Sequence, residues 1–192
     1  MCKIDDTHMD EMKFETVKTN KREMKKFYHE NCYQKLLEER AFKEKEYWEL
    51  DALRLVVQKI YGIDPLPSSA YGLLQKIRNG EPVFGSKQNI GKRYKEGYSY
   101  PLIQETYEYC SDTIEWANAN KNFDGFMGAF RYGLAIIIDK LYIVEQRAKE
   151  RERKRLLIDK HIEKISEDEQ IFETNYKKPS KSKGDISDFL DD

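Results

Sequence analysis

The sequence predicts an all-α fold, a helical bundle framed by a long N-terminal and a long C-terminal helix, with disordered termini. Three observations carry that prediction. Apolar residues recur at alternating three- and four-residue spacing through long proline-free stretches. No run shows the period-2 alternation of a half-buried strand, and only the short stretch from Pro82 to Phe84 is ambiguous. Of the 192 residues, 36% are charged and 39% hydrophobic, the balance expected of helices with long solvated faces. A chain of this length supports one core with extensions. It divides into a flexible N-terminus over residues 1–18, a helical domain over 19–173 and a disordered tail over 174–192.

The first long helix is predicted from Asn20 to Tyr61. Leu50, Leu53, Val57 and Ile60 give it a buried stripe at 3, 4, 3 spacing, continued upstream through Phe42 and Glu46. Gly62 is placed to cap it, and Pro65 and Pro67 prevent its continuation. A short helix follows from Ser68 or Ser69 to Arg78, with a serine as N-cap and Asn79-Gly80 as its stop. Residues 80–97 hold four glycines and a proline, so an irregular connector with room for one helical turn is expected.

A helix restarts near Ser99, with Pro101 accommodated in its first turn. From Phe123 to about Ile165, the last helix carries Phe126, Phe130, Leu134, Ile137, Leu141 and Val144 as a packed seam. Extending that seam brings in Arg151 and Arg155, so it must either leave the core there or meet carboxylates. Antiparallel pairing of the two long helices would place Glu46 near Arg151. An intermolecular coiled coil, and with it a homo-oligomer, is the competing arrangement.

The 34 Lys+Arg and 35 Asp+Glu leave a net charge of -1, so any nucleic acid must be met by local clusters rather than by a global field. No apolar run reaches the ~18 residues of a membrane span. The start, MCKIDDTHMD, has no hydrophobic signal region, so a cytoplasmic protein without membrane contact is expected. Cys2, Cys32 and Cys110 contain no CxxC pair and read as reduced thiols. His29 and Cys32 lie three apart without further ligands, and the E-x-K at Glu23 to Lys25 reads as a solvated helix face. No catalytic residue, metal or cofactor is predicted, and a non-enzymatic protein is expected.

The basic clusters say more. Lys87, Lys92, Arg93 and Lys95 fall within nine residues that contain no acid, with Tyr94 among them and Tyr98 and Tyr100 adjacent. Cationic groups pair with phosphates and tyrosine rings stack on unpaired bases, so these are candidate nucleic-acid contacts. The bland alternative is a solvated connector whose tyrosines cover the core edge. A second cluster runs along the last helix through Arg147, Arg151 and Arg155. There Glu145 to Lys149 and Glu150 to Lys154 compensate part of the charge as i to i+4 pairs. In the tail, Ile186, Phe189 and Leu190 share the i, i+3, i+4 spacing of one helical face among aspartates, a candidate partner-binding segment.

Residues 60–140 carry a family resemblance. The segments IYGIDPLPSSAYGLLQKIRN, EGYSYPLIQETYEYCSDTIEWANANKNF and GFMGAFRYGLAIIIDK follow one another as helix, proline-containing turn, helix, and a glycine-tyrosine stretch that opens a further helix. This order resembles the C-terminal helical module of DnaD-like primosomal proteins of Gram-positive bacteria and their phages. The family's closing aromatic-x3-isoleucine-x3-tryptophan helix is matched here by Tyr132, Ile136 and Lys140, or by Phe126, Phe130 and Leu134, without the tryptophan. The resemblance implies a helical module that binds DNA and contacts replication partners without enzymatic activity. The combined expectation is a replication accessory protein of a phage or mobile element that binds DNA, single- or double-stranded, and recruits a partner. The alternative is a mobile-element inhibitor or adaptor that grips a host nucleoprotein enzyme by protein contacts.

Overall fold

The computed structural model describes residues 8–19, 22–85 and 91–175. Its elements run β1 (Lys13–Thr19), β2 (Arg22–Tyr28), α1 (Glu30–Tyr61), α2 (Ser68–Arg78), α3 (Lys92–Lys95), α4 (Tyr100–Asn120) and α5 (Gly125–Asn175). The helical frame is as expected, and the chain divides between Val144 and Glu145 into two compact units. The tail positions Ile186, Phe189 and Leu190, and Lys87 of the connector, lie outside the described residues.

The N-terminal segment departs from the sequence reading. Residues 22–28, expected to open the first helix, instead form the second strand of an antiparallel hairpin, with Lys13 opposite Tyr28 and Thr19 opposite Arg22. Helix α1 therefore starts at Glu30, ten residues later than predicted from Asn20. Thr16, Val17 and Thr19 are β-branched and favour a strand, and two residues link it to its partner. An isolated two-stranded hairpin is marginal in water and needs a helix to lie on. Side-chain contacts tether this one to α1: Arg40 donates to both carboxylate oxygens of Glu15, Lys13 lies 3.5 Å from Glu30, and the Tyr28 and Tyr33 rings are 6.0 Å apart. The ladder with β1, together with these tethers, overrides the helix propensity of Arg22, Glu23, Met24, Lys25 and Lys26 in β2.

The second half of α1 behaves as its spacing predicts. Leu53, Val57 and Ile60 are buried, and Gly62 ends the helix in the left-handed conformation with its N–H on the Gln58 carbonyl. The upstream stripe does not continue inward, because Phe42 is exposed. Helix α1 packs along α4, whose Ile103, Tyr107, Cys110 and Ile114 face the core. The α5 seam of Phe130, Leu134, Ile137 and Leu141 is fully buried. At its start, the Tyr61 ring meets Phe126 and Phe130 edge-on and occupies the space that a side chain at Gly133 would need. Glu46, the acid expected beside Arg151, is held by Arg78 at the end of α2, with Nη2 and Nε at 2.6 and 3.0 Å from one carboxylate oxygen.

Candidate nucleic-acid interface

The connector is less free than its glycines suggest. Gly80 and Gly97 both have positive φ, and each lies against the other's neighbourhood. A Cβ at Gly97 would overlap the Arg78 carbonyl, and one at Gly80 would overlap the Lys95 carbonyl. The single turn α3 is thereby fastened to the end of α2. Tyr94 is only 7% exposed and its hydroxyl donates to the Glu81 carbonyl at 3.2 Å, while Tyr98 and Tyr100 are also buried. Tyr94 therefore anchors the loop and offers no face for a base to stack on, which corrects its assignment as a nucleic-acid contact. The guanidinium of Arg93 lies over the Tyr98 ring at 4.4 Å and donates to the Gly97 carbonyl at 3.0 Å, with Glu96 3.4 Å away. Lys92 and Lys95 are exposed.

Burial, reinforced by the neighbouring Tyr98, pushes the Tyr94 phenol up to about 12 from an ordinary 10.0. The folded chain thus holds this proton where the unfolded chain has lost it. Tyr94's contribution to stability is intact below about pH 10 and is lost as pH rises to about 12. Denaturant midpoints measured across this range should fall, and Tyr94→Phe should remove part of the fall. Half-buried Tyr61 and buried Tyr107, Tyr100 and Cys110 are raised too, first of all by burial, and contribute to the same fall.

The surface that sequence reasoning missed is the hairpin. Cross-strand partners share a face. On the inner face, Glu15 and Tyr28 meet α1. On the outer face, Phe14 and Phe27 stand opposite one another with ring centroids 6.0 Å apart, 52% and 37% exposed. The Lys25 ammonium lies over the Phe14 ring at 4.6 Å. Across residues 13–28 the sequence carries six basic and two acidic side chains, a net +4 over both faces, and the ring face itself holds Lys25 and the Lys18–Glu23 pair. Two exposed rings within a cationic ribbon are the components of a stacking platform for unpaired bases. The available signal was the β-branched run at Thr16 to Thr19 next to a short polar link. The ribbon joins α1 at Arg40 and the α2 end joins it at Glu46, six residues or about 9 Å further along.

A family described as SPbeta prophage protein YorH matches residues 1–188. The chain belongs to that family. No curated protein and no solved structure matches it. Membership of the YorH family agrees with the phage origin expected from the sequence, and lends nothing to the DnaD-like resemblance. In this YorH-family chain, no helix among the described residues is long and apolar enough to cross a membrane.

The second basic cluster lies beyond the core of the first unit. Arg147, Arg151 and Arg155 are exposed on α5, and the predicted local pairs form, Lys149 to Glu145 and Lys154 to Glu150, each at 2.9 Å. The exposed Lys154–Glu150 pair adds little to stability, because both charges stay in water.

Proposed function

We propose that this YorH-family protein is a non-catalytic accessory factor of phage DNA replication that binds single-stranded DNA and recruits a protein partner. The exposed Phe14–Phe27 pair among the ribbon's cations carries the reading. Bases stack on the two rings, Lys25 swings from Phe14 to a phosphate, and Lys92 and Lys95 of α3 meet phosphates further along the strand. The partner-recruiting role rests on the sequence of the acidic tail alone, with Ile186, Phe189 and Leu190 as its apolar residues.

Fluorescence anisotropy of labelled single-stranded and duplex oligonucleotides over a salt series tests this. Binding to the single strand should be the tighter. Lys92→Ala with Lys95→Ala should reduce the log–log salt slope by about 1.4, at ~0.7 for each phosphate no longer neutralised. No binding at low salt, or a slope that the double substitution leaves unchanged, contradicts the reading.

One observation favours a second reading, an inhibitor or adaptor acting on a host nucleoprotein enzyme. On α1, Phe42, Tyr47 and Trp48 are exposed, with the Tyr47 and Trp48 rings edge-on at 5.5 Å. Exposed Trp and Tyr are the residues that anchor protein interfaces. That reading predicts no oligonucleotide binding, and loss of a co-purifying host enzyme on Tyr47→Ala with Trp48→Ala.

A further inference from the structure

The second unit exposes more aliphatic surface than a solitary helix tolerates. Between residues 156 and 165 of α5, Leu156, Leu157, Ile158, Ile162 and Ile165 are all exposed, Ile158 by 59%. Scattered surface aliphatics are ordinary, whereas five within about three turns form a patch that calls for a cover. Arg151, Arg155, Ile158, Ile162 and Ile165 continue the 4, 3, 4, 3 spacing of a coiled-coil seam.

The charge along the helix says what covers it. Residues 147–155, RAKERERKR, carry six basic and two acidic side chains, a net +4. Residues 165–173, ISEDEQIFE, carry four acidic and no basic ones, a net -4. The two stretches are equidistant from position 160. A second copy running antiparallel about that position sets each basic stretch against an acidic one. It also places Ile158 opposite Ile162 and Arg155 opposite Ile165. A parallel pair would set like charge on like over the same length. We infer that this segment of α5 is a self-association surface, on which two copies of the chain pair as an antiparallel, two-fold symmetric coiled coil of nearly four heptads. The inference stands independently of the nucleic-acid reading, because the hairpin and α3 belong to the other unit.

Sedimentation equilibrium of the full chain tests it. The wild-type protein should be a dimer at tens-of-micromolar concentration, and added salt should loosen it. Ile158→Lys with Ile162→Lys should give a monomer whose thermal transition is retained, since neither residue lies in the buried core. Arg151→Glu with Arg155→Glu should weaken the dimer at least tenfold, because acid then faces acid. In a parallel pair that same change would exchange one like-charge contact for another. A monomeric wild-type chain, a dimer that survives the isoleucine changes, or a dimer indifferent to the charge reversal would each overturn the inference.

Discussion

Phe14→Ala combined with Phe27→Ala is expected to weaken single-stranded DNA binding by about 100-fold. Each base–aromatic stack is worth ~1–3 kcal/mol by alanine substitution. Taking the lower part of that range for rings only partly exposed gives ~1.4 kcal/mol, or tenfold, per ring. The cost to stability is much smaller, because a cross-strand pair contributes only ~0.2–1 kcal/mol and the anchoring of the ribbon through Glu15 and Arg40 is untouched. Phe14→Leu with Phe27→Leu separates stacking from simple apolar contact. It preserves an apolar outer face and removes the π-surface, so affinity should fall nearly as far as with alanine. Leucine variants that bind as tightly as the wild type would show that the rings act as hydrophobic bulk, as a protein-binding surface would use them.

The second large effect is on the connector. Gly97→Ala combines two penalties. An alanine must adopt a φ of +74°, and its Cβ must occupy the place of the Arg78 carbonyl. Left-handed strain costs ~1–3 kcal/mol and an overpacked contact against backbone a further ~1–3 kcal/mol. A total near 4 kcal/mol lowers Tm by about 10 °C in a chain of this size. Gly85→Ala is the control, because its φ of +85° carries the same conformational strain with nothing among the described residues within 4 Å of the added Cβ. It should cost only about 1–2 kcal/mol. Equal destabilisation by the two substitutions, measured by thermal unfolding, would mean that α3 is not fastened to α2 by this close approach. Loosening the clamp should also reduce the part of DNA binding that depends on Lys92 and Lys95.

The helical frame was legible because its signals are local. Gly62 after Tyr61, Pro101 one residue into α4, and the 3/4 spacing from Phe130 to Val144 each act within a turn or two of chain. The hairpin was not legible for the opposite reason. REMKKFY is composed largely of good helix formers, and only its pairing with KFETVKT and the Glu15–Arg40 contact, 25 residues apart, make it a strand. Glu46 illustrates the same limit. Its stripe position marked it as an acid in want of a cation, but Arg151 and Arg78 could not be distinguished without the path of the chain. At the connector, the lysines and tyrosines marked a candidate interface by composition alone. Burial then divided it, with Tyr94 as an anchor and Lys92 and Lys95 as surface.

The most direct test of the proposed nucleic-acid surface is photo-crosslinking of single-stranded DNA carrying bromouracil, followed by peptide mapping of the adducts. Adducts are expected within residues 13–28, centred on Phe14 and Phe27, and should disappear in the double alanine variant. Adducts confined to α5, or none in the hairpin under conditions where the DNA is bound, would contradict the assignment of the hairpin as the binding surface.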